Sequence, residues 1–307
     1  MSSSIIKRAF STTTAKDAIK NVTVIGGGLM GSGIAQVAAQ AGQNVTLVEI
    51  NENLIQKAQS SIAVSLGRVA RKLYRDSPSE GEVFVKNAQA RIKGSTNPAE
   101  AVKEADLVIE AIIENIDLKH KLFKMLDEAA PAKTLFASNT SSLSIGEIAS
   151  VTNRKDRFGG LHFFNPVQVM KLLEVVRIPE TSEETYQAFM TWGKSIGKTC
   201  ITCKDTPGFV VNRLLIPYKL EAFRMYERGD ASFEDIDIAM KLGAGYPMGP
   251  FELSDYTGLD LSKDILEGWH KRFPDDPLFK PVRIVEKMVA EGKLGRKSGE
   301  GFYKYNK

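Results

Sequence analysis

Residues 21–50, NVTVIGGGLMGSGIAQVAAQAGQNVTLVEI, decide the fold. The short apolar run 22–25 meets a glycine cluster, Gly26-Gly27-Gly28. Gly31, Gly33 and the helix-like AQVAAQA follow, with Gly42 as a stop, and 44–50 reads as a second strand. Strand, glycine turn, helix and strand in close succession make a βαβ unit. Within it Gly26-Gly27-Gly28-Leu29-Met30-Gly31 fits G-x-G-x-x-G. The first glycine allows the tight turn and the second lets backbone N–H groups approach a pyrophosphate. The third lets helix and strand pack closely, and the helix N-terminus attracts negative charge. Glu49, at the end of the second strand, suits a carboxylate accepting bonds from adenosine ribose hydroxyls. It would repel the 2′-phosphate of NADP, and no Arg follows it directly, so NAD is the favoured cofactor. The plain alternative is a glycine-rich turn without a ligand.

Outward from this unit, 52–75 is a long helical pattern broken at Ser77-Pro78. Strands follow at 106–112, 135–137, 158–164 and 172–178, with a last one through the cysteines. Helices are expected at 117–130, 144–151 and 182–196. Such alternation implies an α/β architecture, a mostly parallel sheet of Rossmann type with helices on both faces. The pattern changes at Asp205-Thr-Pro207-Gly208. Beyond it the long periods are helical, at 209–228, 232–242, 251–272 and 280–291. The expected organisation is an NAD-binding domain over 17–206 and an all-helical C-terminal domain over 207–307, with no repeat or low-complexity linker.

The 307 residues suit two domains. With 43% hydrophobic and 25% charged residues, disordered, collagen-like and disulfide-scaffold classes are excluded. No stretch approaches the roughly 20 apolar residues needed to cross a bilayer, so membrane insertion is not expected. The net charge of +4 comes mostly from residues 1–16, which hold Lys7, Arg8 and Lys16 and no acid. Without them 38 basic residues face 37 acidic ones, which gives no footing for nucleic acid. That Ser/Thr-rich, acid-free leader has the composition of a mitochondrial transit peptide. The two cysteines, Cys200 and Cys203, lie three apart in a strand and so face opposite sides. Structural thiols are expected, and no His or second Cys pair completes a metal site.

Removing a proton from an alcohol while hydride leaves requires a base, and His is the usual one near neutral pH. Of three histidines, His120 lies in a charged helix and reads as solvated, and His270 lies on the last turn of a helix. His162, in GGLHFFNP, ends a strand in an aromatic-rich turn closed by Pro166, where α/β sheets present their ligand crevice. Glu174 lies in the next strand, KLLEVV, among apolar neighbours. Burying it unpaired is costly, and His162 is the attractive partner, with a salt bridge to Lys or Arg as the alternative. The cluster Ser138-Asn139-Thr140-Ser141-Ser142 follows another strand, where turn chemistry alone could explain it. Asn212 sits in an otherwise apolar helix, bonding locally or facing a cleft.

Taken together, VIGGGLMGSGIA, VIEAIIEN, FASNTSSLSI, GLHFFNPVQVMKLLEVV, DTPGFVVNRLL, GAGYPMGPFEL and GRKSGEGFYKY resemble the L-3-hydroxyacyl-CoA dehydrogenase family. The likeness, closest to its mitochondrial short/medium-chain branch, spans the chain after the leader. It implies NAD-dependent oxidation of L-3-hydroxyacyl-CoA to 3-ketoacyl-CoA in fatty-acid β-oxidation, in the mitochondrial matrix, by a homodimer. It assigns His162 as the base, Glu174 as its carboxylate partner, and Ser141 and Asn212 as contacts of the substrate oxygen. Glu114 and Asn165 would lie against the nicotinamide half, with Lys119 and Lys297 as further cofactor contacts. Ser65 and Lys72 would touch the acyl-CoA thioester. The family commonly carries Asp where this chain has Glu49, which preserves the carboxylate. The rivals are a relative acting on a free hydroxy acid, such as a gulonate dehydrogenase resembling lambda-crystallin, and a catalytically silent NAD-binding protein.

Overall fold

A computed structural model describes residues 19–305, so the leader expected at 1–16 lies outside the described residues. The chain divides into two compact units, the first ending at Asp205 and the second starting at Thr206.

The first unit begins with β1 (Asn21–Ile25), α1 (Leu29–Gln40), β2 (Asn44–Val48) and α2 (Glu52–Leu73). It continues through α3 (Pro78–Ala90), β3 (Ile92–Ser95), α4 (Pro98–Ala101), β4 (Leu107–Glu110), α5 (Ile116–Ala129), β5 (Leu135–Ser138) and α6 (Ile145–Ala149). β6 (Phe158–Phe163), β7 (Leu172–Arg177), α7 (Glu183–Ser195) and β8 (Thr199–Lys204) complete it. The strands form one sheet in the order β3-β2-β1-β4-β5-β6-β7-β8. The order reverses beside β1, leaving a crevice at the carboxyl ends of β1 and β4, where such sheets bind ligands. Ile34, Ala38, Ile62, Leu66, Phe189 and Trp192, from α1, α2 and α7, pack on the strands in one continuous core. Phe123 of α5 meets Phe136 and Phe158 at 5.7 and 4.8 Å between ring centres.

The sheet is parallel except between β6 and β7, which pair antiparallel. Their connection, 164–171, is too short for a crossover, which needs about a dozen residues or more. α3 and β3 were not anticipated. Pro78 breaks one helix and starts the next, because its fixed φ and missing N–H suit the first helical position. β3 is a four-residue edge strand with a single buried side chain, Ile92, too little for a period-2 pattern.

The second unit holds α8 (Val211–Arg228), α9 (Phe233–Gly243), α10 (Pro250–Thr257), α11 (Leu259–Arg272) and α12 (Arg283–Ala290). The helix expected over 251–272 is two helices. Gly258 stands between them at φ 101°, a backbone that L side chains rarely adopt. The tail closes with isolated bridges from Glu300 to Gly295 and Lys304. Phe223, Phe251 and Phe302 pack ring to ring at the centre.

Lys219 of α8 is buried, and its Nζ donates to a neutral acceptor, Ser262 Oγ, at 3.1 Å. Burial pushes the ammonium down from 10.5 to about 8. The unfolded chain therefore holds this proton to higher pH than the folded one. The cost to stability is complete below about 8 and fades as pH rises toward 10.5. Lys219→Met should accordingly stabilise the protein by about 2–3 kcal/mol at neutral pH. In denaturant melts at increasing pH the advantage should shrink, and an advantage independent of pH would assign it to packing alone.

Candidate active site

The β1–α1 turn has the shape its glycines anticipate. Gly26 has φ 101°, and a Cβ there would lie 2.7 Å from the carbonyl oxygen of Ala111. A Cβ on Gly31 would collide with the carbonyl oxygen of Gly26, so the helix can start this close to the turn only without a side chain. A Cβ on Gly28 would meet nothing within 4 Å. Gly28 caps α1 with no side-chain bond, and the first turn carries no acid. The helix dipole therefore faces that open space uncompensated, ready for an anion. Leu29 is exposed there, while Met30 turns inward onto the core. Glu49 leans over the turn, its Oε1 accepting from the Gly27 N–H at 2.7 Å and its Oε2 from Ile50 N–H at 3.1 Å. Open space, free helix polarity and a fixed carboxylate fit a dinucleotide.

Strand reversal creates the second part of the site. His162, one residue from the end of β6, lies directly opposite Glu174 in the antiparallel register. Cross-strand partners project to the same face. His162 Nδ1 and Glu174 Oε2 are 2.6 Å apart, and both residues are buried. A carboxylate only accepts, so the bond to Glu174 is donated by an N–H at Nδ1, and Nε2 is the ring nitrogen that Glu174 does not engage. The Phe164 ring packs against the imidazole, 4.6 Å away between ring centres. The pairing inferred from spacing and apolar surroundings is thus present.

Between these parts, the loops leaving β4 and β5 are tied through Glu114. Its carboxylate accepts from Thr140 Oγ1 at 2.9 Å and from Ser141 N–H at 2.9 Å. Ser141 Oγ lies 3.5 Å from it. Asn139 reaches across to β6, its Oδ1 accepting from Phe163 N–H at 2.9 Å. The polar run 138–142 is therefore more than a turn. Lys119 is 1% exposed, its Nζ 2.5 Å from Glu110 Oε1 and 3.4 Å from Glu114 Oε2. Glu110, wholly buried at the end of β4, was not anticipated. Its signal was the same as that of Glu174, an acid inside an apolar strand.

Asn165 is exposed in the loop after β6. Ser65 and Lys72 lie two turns apart on one flank of α2, Ser65 half-buried and Lys72 exposed. Asn212 and Lys297 belong to the second unit. Asn212 is half-buried near the start of α8, and Lys297 pairs with Asp260. His120 departs from the solvated expectation, because Nε2 bonds the carbonyl oxygen of Glu147 at 2.8 Å and the ring is half-buried. The cysteines are unpaired to each other. Burial, with the Glu174 and Asp205 carboxylates, pushes the Cys203 thiol up to about 12, which suits a structural group. Among the described residues no cluster of His, Cys, Asp or Glu could hold a metal, and no helix is long and apolar enough to cross a membrane.

Comparison with known proteins identifies the family of the fold. Residues 21–206 match the family model described as 3-hydroxyacyl-CoA dehydrogenase, NAD binding domain, and residues 208–305 match its C-terminal domain. The chain belongs to the 3-hydroxyacyl-CoA dehydrogenase family. The mitochondrial hydroxyacyl-coenzyme A dehydrogenase of Sus scrofa is 54% identical over 306 residues, covering 98% of each chain. That of Homo sapiens is 55% identical over 295 residues, covering 96% of this chain and 94% of the human one. Among solved structures, (S)-3-hydroxybutyryl-CoA dehydrogenase from Ralstonia eutropha superposes with a TM-score of 0.88 at 45% identity, covering 94% of this chain and all of that one. As a member of this NAD-dependent family the chain has a Rossmann NAD-binding domain followed by a helical C-terminal domain.

Glu49→Ser should weaken NADH binding by about tenfold and narrow the preference over NADPH, as expected for loss of a charged acceptor. Fluorescence titration with both reduced cofactors reads this directly. Unchanged affinities would remove Glu49 from ribose recognition.

Proposed function

We propose that this dehydrogenase oxidises L-3-hydroxyacyl-CoA thioesters to 3-ketoacyl-CoA, reversibly, within fatty-acid β-oxidation in the mitochondrial matrix. The observation that carries the chemistry is the buried His162–Glu174 pair at 2.6 Å. When bound, NAD supplies the hydride acceptor at nicotinamide C4. His162 Nε2 takes the 3-hydroxyl proton, and the imidazolium so formed is met by a carboxylate already bonded to Nδ1. Glu174 also fixes the ring plane and the tautomer, so no reorientation is needed as charge develops. Ser141 Oγ holds the substrate oxygen in line, a task suited to a hydroxyl whose backbone is anchored by Glu114.

The glycine turn from Gly26 to Gly31 receives the pyrophosphate, Glu49 the adenosine ribose, and Glu114, Lys119 and Asn165 the nicotinamide half. Ser65 and Lys72, sharing a flank of α2, receive the coenzyme A moiety. Asn212 and Lys297 keep the assignments implied by resemblance, contact with the substrate oxygen and with the cofactor. The helical unit also supplies the homodimer interface, and residues 1–16 direct import.

The test is NAD reduction with L-3-hydroxybutyryl-CoA, followed by absorbance of the reduced nicotinamide, with the D-isomer and NADP beside it. Turnover is expected with the L-isomer and NAD only. His162→Gln should lower kcat by about 10²–10⁴ with NADH affinity unchanged, the loss expected for a general base. Near-normal turnover in that variant would remove His162 from the mechanism.

A further inference from the structure

Glu110 is 0% exposed, yet it is a carboxylate at the crevice end of β4. Burial on this scale is tolerated only when the charge is paired and its lone pairs are filled. Its Oε1 accepts from Ile112 N–H at 2.7 Å and from Lys119 Nζ at 2.5 Å. Its Oε2 accepts from Ser138 Oγ at 2.6 Å. Ser138 is the residue directly beside Glu110 in the parallel register of β4 and β5, and its Oγ also accepts from Thr140 N–H at 3.2 Å. Lys119, reaching back from the first turn of α5, contacts Glu114 with the same ammonium. Glu114 in turn holds Thr140 and Ser141.

The bonds therefore close a ring. From Glu110 one arm runs through Ser138 to Thr140, and the other through Lys119 to Glu114 and back to Thr140 and Ser141. Both loops that leave β4 and β5 at the crevice are joined by it.

We infer that Glu110 is a positioning residue for turnover, acting through Lys119, Glu114 and the 139–141 loop without touching cofactor or substrate. This rests on the activity proposed above. Its carboxylate holds the Lys119 ammonium in place, and that ammonium fixes Glu114, which fixes Ser141. Without the charge on Glu110 the ammonium is left with Glu114 alone, and both loops lose their common anchor. Reactive alignment then suffers more than ground-state binding, because small misplacements cost rate before they cost affinity.

Glu110→Gln keeps the size and one acceptor but removes the charge. Ser138→Ala breaks the arm from Glu110 to Thr140 and leaves the Glu110–Lys119 ion pair intact. Each variant is titrated with NADH to count competent sites, and turnover of L-3-hydroxybutyryl-CoA is then expressed per site. The expected result is a fall in kcat of about tenfold or more for Glu110→Gln and about threefold for Ser138→Ala. NADH affinity and the KM for the thioester should move by less than about threefold in both. A merely structural role predicts fewer sites and a lower Tm, with kcat per site equal to the wild type, and that result overturns the inference. If Glu110→Gln does not fold, Ser138→Ala decides by the same measure. A wild type that binds NADH but turns over no thioester overturns the proposed activity itself, an outcome distinct from wild-type turnover matched by both variants.

Discussion

Two carboxylates without exposed surface, Glu110 and Glu174, govern the crevice edge of the sheet. Neither can stand alone in an apolar strand, so each recruits a basic partner and fixes whatever carries it. Glu110 draws Lys119 back from α5 and pins the loops after β4 and β5. Glu174 reaches His162 only because β7 runs antiparallel to β6. In a parallel arrangement the near end of β7 would lie at the opposite edge, and an acid three residues into the strand would be far from the imidazole. The short 164–171 connection is thus what converts a spacing of 12 residues into a direct cross-strand pair.

Much of this was legible beforehand because the signals were local. The glycine turn, the strand–helix alternation and the isolated acid of KLLEVV each depend on a few neighbouring residues. Glu110 shows where legibility stopped. It is an acid inside an apolar strand, as Glu174 is, but its partner Lys119 sits in IDLKHKLFK, a run of lysines that reads as a solvated face. Only the tertiary position of α5 distinguishes the one buried lysine from its exposed neighbours. His120, in the same run, misleads for the same reason, since its acceptor is a backbone carbonyl of α6. α3 and β3 escaped because one was masked by a proline that both ends and starts a helix, and the other is too short to show alternation.

The second unit uses buried acids for a different end. Asp237 accepts from the N–H groups of Phe251 and Glu252 and from Tyr303 Oη at 2.8 Å. Asp255 accepts from the N–H groups of Phe302 and Tyr303 and from Tyr305 Oη at 2.9 Å. Burial pushes the Asp237 carboxyl up, with the bonds it accepts opposing that shift. Glycines leave room for both: a Cβ on Gly249 would strike Asp237, and one on Gly301 would strike Asp255. Gly249 of GAGYPMGPFEL and Gly301 of GEGFYKY therefore carry no side chain because a buried aspartate stands against each. They are distinctive because two buried aspartates must be satisfied where the chain's tail returns to α10.

What separates Glu110 from Glu174 is the donor each acquired. An ammonium has only hydrogens to offer, so Lys119 can hold Glu110 and Glu114 in place but cannot receive a proton. A neutral imidazole that donates from Nδ1 has a lone pair at Nε2. The same physical demand, a buried acid needing a positive or polarisable partner, is therefore met once by a group that only positions and once by a group that can also react. On the proposed reading, proton transfer falls to the end of β6 for that reason, and the β4 pair has the separate task of holding the neighbouring loops.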